Sequence, residues 1–424
     1  MTLGLVIITL AVLLVLGMPI AFSLGASALV GFLLTGTPIL ALGQHLTIAV
    51  AKFSLLALPF FIFSGNLMAH GGISKRLISV VSAFTGHRTG GIATVTIISA
   101  MIFASLSGSG SACTAALGMI LIPAMAERGY SREYAGSVMA VSAELGMIIP
   151  PSISMIIYGV ATETSIAKIF AGGMLPGIMI GLSLIILSYI LCRKKNYIGS
   201  ERVAWPERMA ALKESYLALL MPVIVLGGIY LGIFTPTEAS VVAVMYAFVV
   251  GCFIYKEITI QNFLQSIKES LITAGMIMFI IANASVFSWL LTREQVPQKV
   301  ASFFASVAPN HIVFLLMVNV MLLVVGMFFD SSTAVSILSG ILAPVAFSFG
   351  IDPVHFGVLM CCNMAIGMVT PPVGVNLFVA CRIGNIKMEN MVKELIPYWG
   401  VLIVDLLIIS FVPQITLFLP SLIK

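Results

Sequence analysis

Ser105–Gly118 reads SLSGSGSACTAALG and follows directly on the apolar run IATVTIISAMIFA, residues 92–104. Hydroxyls and glycines at this density interrupt a segment otherwise suited to lipid. The whole chain is 60% hydrophobic and only 9% charged, with a mean hydropathy of +1.14. A soluble fold cannot bury so much apolar surface, so the chain is read as an integral membrane protein. Several apolar stretches reach the roughly 20 residues that a bilayer helix needs. Strand-like alternation is absent, so the expected fold class is all-α and polytopic.

Spanning helices are expected near 3–18, 20–36, 46–69, 133–162, 169–192, 214–231, 236–254, 270–291, 354–382 and 396–420. MTLGLVIITLAVLLVLGMPIAF (1–22) lacks a basic leader, so a first span is expected rather than a signal peptide. Two regions, 91–128 and 311–349, are apolar but interrupted midway. Read as re-entrant hairpins, they let the basic residues sort by side. Lys75, Arg76, Arg88, Arg193, Lys194 and Lys195 are among those that then fall inside. Lys52, Lys168, Arg293, Lys299 and Lys424 fall outside or near it. Both termini are expected on the periplasmic side.

The interruption at Ser105–Gly118 is repeated. ELGMIIPPSISM (144–155) and AIGMVTPPVGVN (365–376) place Pro150-Pro151 and Pro371-Pro372 at a spacing of 221 positions. That offset also pairs Ser111 with Ser332, Pro123 with Pro344, Gly136 with Gly357 and Pro176 with Pro397. The chain therefore divides into a first repeat (1–200), a cytoplasmic connector (201–213) and a second repeat (214–424). Each repeat carries three spans, one hairpin and two more spans. Five crossings is an odd number, so the second copy is inverted. Inverted repeats with discontinuous helices point to a secondary transporter with its site at the repeat interface.

Non-helical backbone at membrane depth must line a cavity or be satisfied by protein. Gly108 and Gly110 permit a tight reversal, while Ser107, Ser109 and Ser111 offer oxygens of the kind that hold hard cations. The partner tip, FFDSSTAVS (328–336), offers Asp330, Ser331, Ser332 and Thr333. Half-helices restarting after the tips aim N–H groups inward, where they favour a carboxylate. A proline lacks the donor for the carbonyl four residues earlier. Pro150 and Pro151 thus release Gly146 and Met147, and Pro371 and Pro372 release Gly367 and Met368. Unwound carbonyls of this kind coordinate Na⁺ in such carriers. Ser152, Ser154, Thr370 and Asn376 flank the breaks, and Asn363 adds a polar group two turns before the second. Ser331, Ser332, Asn363, Asn376 and Ser152 are the candidate substrate contacts. Glu144, within an apolar helix, is a further candidate, for proton or cation handling, without a repeat partner, since its counterpart is Ala365.

No metal-ligand spacing links the five histidines, and no Walker A motif is present. The six cysteines are read as buried thiols. GSGSA (108–112) faintly suggests an intramembrane serine protease, but its nearest candidate base, His355, sits beside Asp352 and Pro353 at an expected membrane face.

Taken together, LALPFFIFSGNLM (56–68), SGSGSACTAALG (107–118), GMIIPPSISMIIYG (146–159) and GMVTPPVGVNLFVA (367–380) resemble the large membrane subunit of TRAP transporters, the tripartite ATP-independent periplasmic carriers. The resemblance covers essentially the whole chain. It implies a Na⁺-driven importer of organic-acid anions, of the C4-dicarboxylate, sialic acid or sugar-acid class, in a bacterial or archaeal inner membrane. It implies two partners, a small four-helix membrane subunit and a periplasmic substrate-binding protein, and an elevator-type motion. It implies no enzyme activity, and no cofactor beyond Na⁺ as coupling ion. Carried over by position, Na⁺ would lie at Ser107–Ser111 with the neighbouring break, and at Asp330–Thr333 with Gly367–Pro371. A stand-alone inverted-repeat carrier of anions, coupled to Na⁺ or H⁺, is the alternative.

Overall fold

The computed structural model describes residues 2–199 and 201–423; Lys424 and the boundary residue Ser200 lie outside the described residues. Among those described, every regular element is helical. The chain opens with α1 (Thr2–Val15), α2 (Ile20–Leu34), α3 (Ile39–Val50), α4 (Ala57–His70) and α5 (Ile73–Thr85). A first hairpin, α6 (Gly91–Ser107) and α7 (Gly110–Glu127), precedes a helix in three pieces, α8 (Arg132–Ala143), α9 (Leu145–Ile148) and α10 (Ile153–Thr162). Then come α11 (Ile166–Lys194), α12 (Trp205–Tyr230), α13 (Pro236–Val249), α14 (Ile260–Arg293) and α15 (Val296–Val307). A second hairpin, α16 (His311–Phe328) and α17 (Ser331–Ser348), leads to α18 (Pro353–Gly367), α19 (Val375–Gly384), α20 (Met388–Phe411) and α21 (Gln414–Leu422).

Among the described residues, ten helices are long and apolar enough to cross a membrane. They differ in part from the expected spans. The stretch 46–69 divides at Ala51–Lys52 into α3 and α4. Pro59 has no N–H for the Leu55 carbonyl, so α4 cannot propagate back into α3. Pro413 ends α20 in the same way, dividing 396–420. α1 and α2 have 14 and 15 residues, about 21–23 Å at the usual helical rise, short of a ~30 Å hydrocarbon core.

The helices α5 and α15 were not expected, because their polar faces lower the hydropathy of the segment. In α5 only one stripe, Ile73, Leu77, Val80 and Val81, is buried, the spacing of an amphipathic helix. α15 occupies nearly the corresponding place in the second half.

α4 packs on α13 and α14, and α2 packs on α1 and α14. A small apolar core of Val6, Leu24, Phe32, Phe287 and Leu290 joins α1, α2 and α14. The main core runs from α4 through α20 and encloses both hairpins. Two pairs of contacts follow the 221-residue offset. α10 packs on α17 while α19 packs on α7, and α11 packs on α18 while α20 packs on α8. Each half thus grips the hairpin of the other.

Candidate functional site

The first tip is closed by Gly108, which ends α6 in the left-handed region at φ 63°. A side chain there would also collide with the Pro151 carbonyl, 2.8 Å from where a Cβ would stand. The Gly108 carbonyl accepts from the Ile153 amide at 3.3 Å. The tip therefore docks on the residues that follow Pro150-Pro151. Ser109 begins α7, accepting from Ala112 N–H at 3.5 Å and lying 3.2 Å from the Ser111 hydroxyl. The Ser107 hydroxyl turns back to the Ser109 carbonyl at 3.4 Å. Gly146 faces the same carbonyl, which stands 3.2 Å from the place of a Cβ.

Of the two carbonyls released by Pro150 and Pro151, that of Met147 is taken by the Ser152 hydroxyl at 2.7 Å. Ser152 is fully buried and also caps α10. Its hydroxyl is thus committed to the break itself. The Gly146 carbonyl lacks the usual helical donor, since the fourth residue on is Pro150.

The second tip uses a carboxylate where the first uses a hydroxyl. Asp330 caps α17, accepting from the Ser332 amide at 2.9 Å. Ser332 and Thr333 are buried behind it. This tip docks on the second break, the Gly374 amide donating to the Met327 carbonyl at 3.3 Å. Gly326 and Gly367 lie face to face, a Cβ on Gly367 falling 2.5 Å from the Gly326 Cα. Of the released carbonyls, that of Gly367 accepts from the Thr370 amide at 2.9 Å. The Thr370 hydroxyl donates to Ile366 O at 2.7 Å. The Met368 carbonyl stands beside Gly374, 3.2 Å from where its Cβ would be, and Pro371 and Pro372 complete the bend.

Two side-chain bonds join the halves. The Ser154 hydroxyl, just after the first break, donates to the Ser331 hydroxyl of the second tip at 3.0 Å. Asn376, just after the second break, donates through Nδ2 to Glu144 Oε1 at 2.6 Å, beside Gly110 of the first tip. The structure thus gathers Ser107–Ser111, Glu144–Ser154, Asp330–Thr333 and Gly367–Asn376 around one locus. Carbonyl and hydroxyl oxygens and the N-termini of α7 and α17 meet there. Such a set can hold a small hard cation beside an anion.

Asn363 stands apart. Its Nδ2 donates to Asn319 Oδ1 and to the Leu359 carbonyl, both at 2.9 Å, and Asn319 in turn donates to the Ser410 hydroxyl at 2.8 Å. All three are buried between α16, α18 and α20, so Asn363 ties helices together rather than facing the tips. Sequence reasoning missed Trp399, whose indole N–H on α20 donates to the Val369 carbonyl at 2.9 Å. Its signal was faint: an indole in an apolar span, which must find an acceptor when buried.

A cavity of about 270 Å³ runs along the seam of α10, α14 and α17, lined by Ile157, Val160, Ser285, Ser288 and Ser336 among others. Ser336 lies one turn from the second tip, its hydroxyl bonded to the Ser332 carbonyl at 2.6 Å. Lys52 lines both this space and a wider one of about 560 Å³, and it donates to the Val160 carbonyl at 2.9 Å.

Comparison with known proteins places the chain in a family. The family model described as "Tripartite ATP-independent periplasmic transporter, DctM component" matches residues 7–415. The isethionate TRAP transporter permease protein DctMQ of Oleidesulfovibrio alaskensis is 41% identical over 96% of this chain, which spans 65% of that longer protein. The sialic acid TRAP transporter large permease protein SiaM of Vibrio cholerae is 38% identical, covering 97% of this chain and 96% of its own. The C4-dicarboxylate TRAP transporter large permease protein DctM of Vibrio cholerae is 40% identical, with 100% and 98% covered. Among solved structures, the YdaH transporter of Alcanivorax borkumensis superposes with a TM-score of 0.65 over 88% of this chain and 86% of its own. At 13% identity it shares the fold alone. The chain is a multi-pass membrane protein that belongs to the DctM family of tripartite ATP-independent periplasmic transporter components, which are transport proteins and not enzymes.

Proposed function

We propose that this chain is the large membrane subunit of a Na⁺-coupled symporter that imports organic-acid anions, working with a small four-helix membrane subunit and a periplasmic binding protein. The observation that carries the reading is the convergence of two hairpin tips on two Pro-Pro breaks. Each tip brings oxygens and a helix N-terminus to backbone that has lost its donors. Isethionate, sialic acid and C4-dicarboxylates, named for the relatives, define the anionic class to be tried.

The two halves act as inverted repeats (1–200 and 214–424), joined by the connector 201–213. The contacts related by the 221-residue offset support that reading. So does the height of the tips. α10 and α19 each continue for 10 residues beyond the breaks on which the tips dock, about 15 Å at the usual rise. Hairpins that stop so far short of their neighbours' ends are re-entrant, and the sorting of basic residues then puts both termini of the chain on the periplasmic side. The hairpins, α10 and α19 then move as one body against α2, α4, α13 and α14 in an elevator-type cycle.

The test is uptake in proteoliposomes holding the chain and both partners, driven in turn by Na⁺ and H⁺ gradients. Uptake of a carboxylate or sulfonate on a Na⁺ gradient is expected. Equal uptake on H⁺ alone would remove the Na⁺ assignment, and transport without the binding protein would remove the tripartite one.

A further inference from the structure

Glu144 lies where α8 gives way to α9, and only 1% of it is exposed. Asn376 Nδ2 satisfies its Oε1. Its Oε2 has no hydrogen-bond partner among the described residues, and neither does Asn376 Oδ1. Two acceptors on touching side chains are thus buried without a donor, which is costly unless a cation or a bound proton satisfies them. Neither ion pair among the described residues supplies the cation, since these join Arg76 to Glu257 and Lys195 to Glu394.

The Ala143 carbonyl lies close by, near the Nδ2 of the same amide. In an unbroken helix the Met147 amide would bond the Ala143 carbonyl, but here it donates to the Glu144 carbonyl at 3.0 Å. A Cβ on Gly110 would stand 3.1 Å from Ala143 O and 2.6 Å from Asn376 Nδ2. Glycine keeps that space open. The position also has no counterpart under the repeat, since the 221-residue offset places Ala365 against Glu144 and Met155 against Asn376.

We infer that Glu144 Oε2 and Asn376 Oδ1 bind a dehydrated Na⁺ ion beside the first tip, in addition to those at the tips, at a position built by both halves. Carboxylate and carbonyl oxygens suit a hard cation. The ion supplies the counter-charge that the buried carboxylate lacks, and it ties the end of α8 to α19. The identity of the ion rests on the Na⁺-coupled reading above; the site itself rests on the orphaned oxygens.

The experiment is equilibrium binding of ²²Na⁺ to the full chain purified in detergent, for wild type, Glu144→Gln and Glu144→Asp. Glutamine can both accept from and donate to Asn376, so Glu144→Gln should fold and melt higher than wild type without Na⁺. It should bind one Na⁺ fewer per chain, with the remaining sites unchanged. Glu144→Asp withdraws the oxygen by one methylene and should keep the count while weakening one site about ten-fold. An unchanged count in Glu144→Gln overturns the inference and leaves the coupled reading standing. Should Glu144→Gln fail to fold, an unaltered isotherm for Glu144→Asp overturns it. No binding to wild type removes the coupled reading and this site together.

Discussion

Single residues at the locus do two tasks at once. The Ser109 hydroxyl caps α7 and neighbours Ser111, while the Thr370 hydroxyl donates to Ile366 O and keeps its lone pairs as acceptors. Ser109→Ala and Thr370→Ala should therefore each raise the Na⁺ concentration for half-maximal uptake several-fold. Thr370→Ser should restore the wild-type value. The reading to take is uptake rate against Na⁺, and an unshifted midpoint in both alanine variants would remove these ligands. Ser109→Ala should also lose about 1 kcal/mol of stability with its cap. These positions were legible in the sequence because glycine, serine and proline in a lipid-like run have few other reasons to be there. The fate of Asn363 was not legible. Its partner Asn319, and Ser410 to which Asn319 donates in turn, come from two other helices, and no local spacing reveals them.

At the scale of elements, the same polar chain binds α16, α18 and α20. Burying amides away from water is tolerable only while each finds its mate. Asn363→Leu or Asn319→Leu alone should cost about 1–3 kcal/mol by stranding the other amide. The double replacement should recover part of that loss, giving a coupling of at least about 0.5 kcal/mol in a double-mutant cycle of detergent unfolding. Simple additivity would mean that the two amides do not stabilise one another. The elements that sequence reasoning placed well, both breaks and both tips, are those where a proline or glycine dictates the backbone. Those it missed, α5, α15 and the division of α3 from α4, depend on amphipathic faces and on neighbours. Hydropathy averaged along the chain cannot resolve either.

For the molecule as a whole, the issue is which parts move together. α10 belongs to the first half and α17 to the second, yet Ser154 and Ser331 touch at 3.0 Å. If the hairpins and broken helices travel as one body, that contact persists through the cycle. A Ser154→Cys/Ser331→Cys pair, in a background without the native cysteines, should oxidise to a disulfide, since the oxygens already stand at bonding range. Uptake by the oxidised protein should stay within about two-fold of the reduced form. Arrest on oxidation with substrate binding retained, reversed by reductant, would show that the halves shear at this seam.

The mutual grip of the two halves also has a consequence in time. A ribosome releases α7 and α10 long before α19 and α17 exist, so during synthesis the first tip can dock on its own break while the faces that later meet α19 and α17 wait uncovered inside the nascent bundle. Maturation of this protein in the cell should therefore be gated by delivery of the last quarter of the chain.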